Sequence, residues 1–464
     1  MKRILLLIFI FVFGNLLAQG GDLDTSFNPG TGFDASPQAI VFQPDGKILV
    51  GGIFTTYNGV TANRIVRLNP DGSIDNTFVT GTGFDSTVFA FALQPDGKIL
   101  VGGSFLNYNG NSSVNRVVRL NPDGSLDNTF LGGTRSNGVV RTLVIQPSDG
   151  KIIIAGDFGT YDGITRLRIA RLNTDGTIDG TFNSTNGSNS SIFCSVLQTD
   201  GKILIVGQFT SYGGVNTNRV ARVNTDGTLD TGFNNGGSGA DGTVNYVTIQ
   251  PDGKILIGGA FERYNGSLRS ALARLNSNGS LDTGFVSNAN TVVNAINLQS
   301  DGRMIISGTF TDYNGTSIRR IARINPDSTL DPTFVSLMPL SGTITVSAMD
   351  ANNAIFIGGG FLDYDATSRP RIAKLVNDFT LSLEDSFTEK NGISIFPNPA
   401  THSFELITST KENVQGVEIY NLNGQQVYKT NQLGAINISF LASGIYLVKV
   451  NTLSESKTLK LVKQ

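Results

Sequence analysis

This sequence predicts an all-β fold: a seven-bladed β-propeller of repeats whose core aromatics lie 49 to 53 residues apart, followed by a small Ig-like β-sandwich. Three observations predict it. One skeleton recurs seven times, at Phe54, Phe105, Phe158, Phe209, Phe261, Phe310 and Phe361. Within each copy every local signal is a strand or a tight turn. Residue usage then changes abruptly: every Arg lies at or before Arg371, and from Ser386 to Gln464 there is neither Arg nor Asp.

The first legible copy runs from Ala39 to Phe78. Ile40 to Gln43 and Lys47 to Phe54 are apolar runs of strand length around Pro44-Asp45-Gly46, where Pro presets φ and Gly accepts a positive φ. Arg64 to Asn69 and Ser73 to Phe78 form a second pair around Pro70-Asp71-Gly72, so each unit is expected to be a four-stranded meander. Ile48-Leu49-Val50 does not alternate, as suits a strand covered on both faces. The Gly that follows stands in all seven copies (Gly52, Gly103, Gly156, Gly207, Gly259, Gly308, Gly359), the mark of a backbone in close approach.

Units that cannot bury their apolar face alone must stack, in a ring or a linear solenoid. Phase favours the ring. Leu23-Asp24-Thr25-Ser26-Phe27 is an orphan outer step before the first unit, while the seventh loses the motif after Leu375, so the first segment can complete the last blade.

Met1-Lys2-Arg3, an apolar run from Ile4 to Phe13 and the small residue Ala18 describe a secretory signal peptide over 1–18, cut after Ala18. No second apolar run follows, so no transmembrane anchor is expected. Cys194, the one cysteine, allows no internal disulfide and sits among apolar neighbours as an inert thiol. With 35 basic against 37 acidic side chains, nucleic acid and anionic membrane are poor partners. The boundaries read 22–377 for the propeller, 378–391 for a linker and 392–464 for the terminal domain. A monomer without cofactor is expected.

The Leu-Asp-x-x-Phe step followed by Gln-Pro-Asp-Gly-Lys-Ile-Leu-Val-Gly-Gly-x-Phe resembles the delta-60 repeat family of bacterial exported proteins. That resemblance implies a propeller-like fold and leaves activity open. The seventh copy departs from it, with Asp350-Ala351-Asn352-Asn353 in place of the Asp-Gly-Lys turn. In the tail, alternating apolar residues and Asn-Gly turns read as a sandwich. Phe396-Pro397-Asn398-Pro399, the run from Gly444 through Tyr446 and Lys449, and the closing Lys460-Leu461-Val462-Lys463 are similar to the type A sorting domain of the type IX secretion system of Bacteroidetes. This implies the outer-membrane translocon as a partner, and a protein that passes through the periplasm and is then released or attached at the cell surface.

Three constellations invite chemistry. Asn69, Asp71 and Asp75, repeated as Asn121, Asp123, Asp127 and Asn173, Asp175, Asp179, approach a calcium loop. The first ligand position, however, holds Arg67 and its counterparts, so an internal ion pair is expected and no metal. Tyr57, Tyr108, Tyr161, Tyr212, Tyr264, Tyr313 and Tyr364 share one repeat position and could line a face as ligand-binding aromatics, or pack between blades with satisfied hydroxyls. No catalytic residue is assigned, since His402, the one histidine, lies in the tail. The preferred reading is a secreted or cell-surface scaffold for binding or adhesion, with a glycan or protein as ligand; the alternative is a carbohydrate-active enzyme using Asp, Tyr and Arg at the channel mouth. Unlike residues from several blades, such as Arg135, Arg141, Glu262 and Arg263, gathered at one mouth would mark a site.

Overall fold

The computed structural model describes residues 20–112, 114–130, 136–184, 186–338, 342–377, 393–396, 398, 400–408, 414–421, 425–431, 434–442, 444–452 and 456–463. The signal segment with Ala18, the 378–391 linker, Arg135, Pro397 and Pro399 lie outside the described residues. The chain divides into two compact units, Met1–Asp378 and Phe379–Gln464. Among the described residues no helix is long and apolar enough to cross a membrane.

The first unit is a succession of seven antiparallel three-stranded sheets, one per repeat. In the first, Pro37–Phe42 pairs with Ile48–Gly52, which pairs with Ile65–Leu68. The middle strands are buried along their whole length in all seven sheets, apart from the terminal Ala260. That burial explains why Ile48-Leu49-Val50 shows no alternation: neighbouring sheets cover both faces. Each inner strand lies against the inner strand of the next sheet, and the last, Ile344–Met349, lies against Pro37–Phe42, which closes the ring.

The four-stranded meander needs correction. Ser73 to Phe78 forms no strand; it contributes one isolated bridge, Leu68 to Ile74, and then turns. Asp75 causes this, because its carboxylate accepts the Thr77 N–H at 3.0 Å and hydroxyl at 2.7 Å and bends the chain away from the ladder. A short hairpin not foreseen from sequence, Thr56–Tyr57 with Val60–Thr61, stands beside the sheet instead.

The same bridge recurs in every repeat, and in the seventh the partner of Leu375 is Leu23. Gly21 N–H donates to Val376 O at 2.7 Å, Val376 N–H to Asp22 O at 2.9 Å and Asp24 N–H to Lys374 O at 2.9 Å. Phe27 and Phe33, 0% and 1% exposed, belong to the core of the first sheet, and Phe27 meets Phe356 of the seventh edge-on at 5.3 Å. The N-terminal segment thus ties the last sheet to the first.

The second unit has a three-stranded sheet (Ile393–Phe396, Ser403–Thr408, Ile436–Asn437) and a four-stranded one (Gln426–Thr430, Val414–Asn421, Gly444–Thr452, Ser456–Lys463). Phe404, Val417, Ile419, Val448, Val450 and Leu461 from both sheets share one core.

Candidate functional site

The Gly present in all seven repeats explains where unlike residues collect. A Cβ on Gly52, Gly103, Gly156, Gly207, Gly259, Gly308 or Gly359 would stand 2.1 to 2.6 Å from a backbone oxygen at the start of the inner strand. Without side chains there, the two backbones close up. Each inner strand then carries an extra residue opposite this Gly, a β-bulge: Pro37 pairs with Gly52 and Ala39 with Gly51, leaving Gln38 unpaired. Bulges re-aim a side chain. The equivalent residues are Phe89, Arg141, Phe193, Asn245, Asn294 and Thr345.

All seven of these residues line a cavity of about 760 Å3 along the inner strands. The repeat thus holds the frame constant and varies the residue that the frame presents. On one side the Arg141 guanidinium lies 5.2 Å from the Phe89 ring centroid and 5.0 Å from that of Phe193, held between two aromatics. Asp157 grips it in a fork, with Nε at 2.9 and 3.0 Å from the two carboxylate oxygens and Nη2 at 2.8 Å. Across the ring, Asn245 Nδ2 donates to Asn294 Oδ1 at 3.1 Å, Asn294 Nδ2 to Ile344 O at 2.8 Å and Thr345 Oγ1 to Pro37 O at 2.7 Å. Cys194 lines the same cavity, and burial pushes its thiol up to about 11, so it is protonated and unreactive at neutral pH.

Of the mouth residues expected from sequence, Arg141 lines this cavity. Glu262 and Arg263 instead sit at a short hairpin, where their N–H groups both donate to Asp241 Oδ1 at 2.9 Å. The tyrosines as ligand-binding aromatics need correction as well. Tyr57, Tyr108, Tyr161, Tyr212, Tyr264, Tyr313 and Tyr364 are 0–1% exposed. Six hydroxyls donate to a carbonyl fifteen or sixteen residues on, as Tyr57 does to Gly72 O at 2.6 Å. Tyr364 donates to Gly21 O of the N-terminal segment. Burying a hydroxyl requires such a partner, and no ring face is left for a ligand.

Asn69, Asp71 and Asp75 do not converge on a cation. Asn69 turns its Nδ2 donor to Ser73 Oγ at 2.9 Å, and Asp71 accepts from the Ser73 N–H at 2.9 Å and hydroxyl at 2.7 Å. Asp75 takes Arg67 Nε at 2.6 Å and Lys47 Nζ at 2.8 Å. The same cluster forms at Asp127, Asp179, Asp230, Asp282 and Asp331. Each Arg also donates Nη1 to a carbonyl of the next repeat, Arg67 to Pro122 O at 2.6 Å and Arg171 to Thr225 O at 2.7 Å, and lies over the repeat's Phe at 4.5 to 5.4 Å. The latch therefore sews neighbouring sheets together. Calcium and chelator should leave the melting temperature alike, since protein cations already occupy the carboxylates; a rise of several degrees with calcium would show a bound ion.

Acid should open these latches. Burial alone would raise the Asp75 carboxyl, but hydrogen bonds from Lys47, Thr77 and Arg67 hold it well below the ordinary carboxylate range. At Asp331, burial again opposes bonds from Thr333 and Arg303, and the carboxyl sits at about 2. A lowered folded pKa gives stability that is complete above the unfolded value of about 3.9 and is lost as pH falls through the folded one. Stability should hold from neutrality to about pH 4 and fall steeply toward pH 2; a fall already complete at pH 5 would count against the latches.

Comparison with known families is consistent with this geometry. The model described as a domain of unknown function, DUF5122, beta-propeller, matches residues 43–78, 94–130, 148–191, 198–233, 250–285 and 299–334. A secretion system C-terminal sorting domain matches 394–464. The chain carries DUF5122 beta-propeller repeats and a type IX sorting tail. The tail marks the DUF5122 propeller for export to the cell surface or the extracellular space. The seventh repeat, outside the matched segments, is the one whose hairpin turn lacks the Asp-Gly pair.

No curated protein matches the chain in sequence. Among solved structures it is similar to the WD40 beta propeller domain of Doa1 (14% identity, 78% of this chain and 97% of that one, TM-score 0.48). It is also similar to an oligogalacturonate lyase of Vibrio parahaemolyticus (13%, 74% and 90%, 0.45). A third similar structure is the extracellular domain of a one-component system of B. thetaiotaomicron (11%, 96% and 59%, 0.45); the DUF5122 chain spans 59% of that protein's length.

The sorting residues form one unit. Asn398 Nδ2 donates to Lys460 O at 2.7 Å while its Oδ1 accepts the Val462 N–H at 2.8 Å, so the side chain pairs with the last strand as a backbone would. Ala400 continues this pairing with Lys463. Gly444 opens the neighbouring strand, Tyr446 donates its hydroxyl to Ala442 O at 3.0 Å, and Lys449 stands opposite Glu418 and Thr458. Lys460 is exposed and Lys463 is 8% exposed.

Proposed function

We propose that the protein is a binding scaffold, released from or displayed on the cell surface, whose seven sheets act as a seven-bladed ring holding a ligand at the channel mouth. One observation carries this reading: the repeats agree where they pack and differ at the bulge, where Gln38, Phe89, Arg141, Phe193, Asn245, Asn294 and Thr345 meet around one cavity. Packing alone would favour repeating one good solution, as it does for the tyrosines. The enzymatic alternative has less support. No carboxylate is among the described residues that line the cavity, and glycoside hydrolysis asks for a pair of them.

The test compares the mature protein with a Phe193→Ala, Asn294→Ala double variant on glycan and peptide arrays. Binding should be lost in the variant while the melting temperature falls by only a few degrees, since both side chains stand partly exposed on the rim and Asn294 forfeits two hydrogen bonds. Equal binding by both proteins would place the site elsewhere.

A further inference from the structure

Charge at the mouth is internally balanced. Arg141 is the one Lys, Arg, Asp or Glu among the described residues lining the cavity, and Asp157 holds it bidentately, the two side chains 31% and 25% exposed. A fork of this kind commits the guanidinium's charge to its partner. A ligand bearing net charge would thus find no uncompensated opposite charge and would lose hydration on entry. Such a lining favours a neutral ligand.

Its polar groups include both donors and acceptors. Gln38, Asn245 and Asn294 each offer both a donor and an acceptor; Thr345, its proton given to Pro37 O, offers an acceptor, and Arg141 offers N–H donors. Hydroxyl groups, which both donate and accept, are the complement of such a lining. Phe89 and Phe193 add flat apolar walls for C–H faces. A peptide strand would need an open backbone edge to pair with. Here the free edges of the inner strands are partly taken already: Asn294 Nδ2 caps Ile344 O and Thr345 Oγ1 caps Pro37 O from the neighbouring sheet. Because the ring is closed by the contact of Ile344–Met349 with Pro37–Phe42, a chain enters only end-on. The cavity, about 760 Å3, falls within the roughly 300–1,000 Å3 usual for small-ligand sites.

Resting on the channel-mouth reading above, we infer that the site takes the terminal units of an uncharged saccharide chain. Asn245 and Asn294 bond the hydroxyls, the two Phe rings cover apolar faces, and Arg141 with Asp157 fixes the rim.

Titration calorimetry on the full mature chain tests it, with maltose, cellobiose, laminaribiose and xylobiose and their hexamers as neutral probes, polygalacturonate as an acidic one and a pooled random dodecapeptide library as a third class. At least one neutral series should bind, with dimer and hexamer of about equal affinity and little change between about 50 and 500 mM salt. Asn245→Ala and Phe193→Ala should each weaken it about tenfold or more, while Tyr57→Phe, whose ring is buried, should leave it unchanged. Salt-sensitive binding of polygalacturonate, or binding of peptide alone, that still depends on Asn245 and Phe193 overturns the saccharide class and leaves the mouth as the site. Binding indifferent to those two variants, or none by any class, overturns the mouth itself.

Discussion

A chain that begins at Ser36 is expected to melt about 15 °C or more below the mature protein, or to fail to fold. Its missing residues hold the seventh sheet to the first. Gly21, Asp22 and Asp24 make three backbone hydrogen bonds with Val376 and Lys374, and Lys374 pairs with Asp24 at 2.8 Å. Phe27 and Phe33 leave the core, and deleting a buried Phe side chain costs about 3–5 kcal/mol. Opening the seam also exposes the unpaired strand that Leu23 bridges, so the truncated protein should aggregate. A melting curve like that of the intact chain would show that the ring does not depend on this closure. Lys374→Arg makes a converse test at the same seam. Each of the other latches uses an Arg whose Nη1 also reaches the next repeat, and Lys374 has no such second arm. The Arg variant should stabilise by about 1 kcal/mol, read as a small rise in melting temperature.

What sequence could reveal here was what burial demands. The apolar runs, the hairpin turns and the Arg–Asp clusters were legible because each reports a local cost: Ile48 to Val50 must be covered, Gly46 must take φ +82°, and Arg67 would repel a cation. The lost fourth strand was not, since Ser73 to Phe78 has strand-like composition and one carboxylate decides against it. Nor, apart from Arg141, was the rim of unlike residues around the cavity. Repetition directs attention to the constant positions, yet the tyrosines are constant because one buried hydrogen bond satisfies each of them, and the ring of unlike residues is defined by a bulge that leaves no mark in Pro37-Gln38-Ala39 or Val88-Phe89-Ala90. The signal that pointed there was indirect: a Gly that recurs where backbones crowd implies an irregular partner strand opposite.

Removing Ile393 to Gln464 should leave a folded propeller that no longer crosses the outer membrane, while the same segment fused to an unrelated exported protein should carry that protein to the surface in a host with the type IX machinery. The two units are compact in themselves, so loss of the second costs the first little. Asn398 makes the test finer. It binds the last strand through Lys460 O and Val462 N, and therefore couples the start of the sorting segment to its end. Asn398→Ala forfeits both bonds, about 1 kcal/mol each, and should loosen Ser456–Lys463 enough for protease to trim it. Secretion should drop in step with that trimming, because a translocon that reads the terminal strand needs it docked. Surface display at normal levels by the tail-deleted protein would remove the sorting role, whereas normal display by Asn398→Ala with a loosened strand would show that the strand is read as an extended segment and not as part of the sheet.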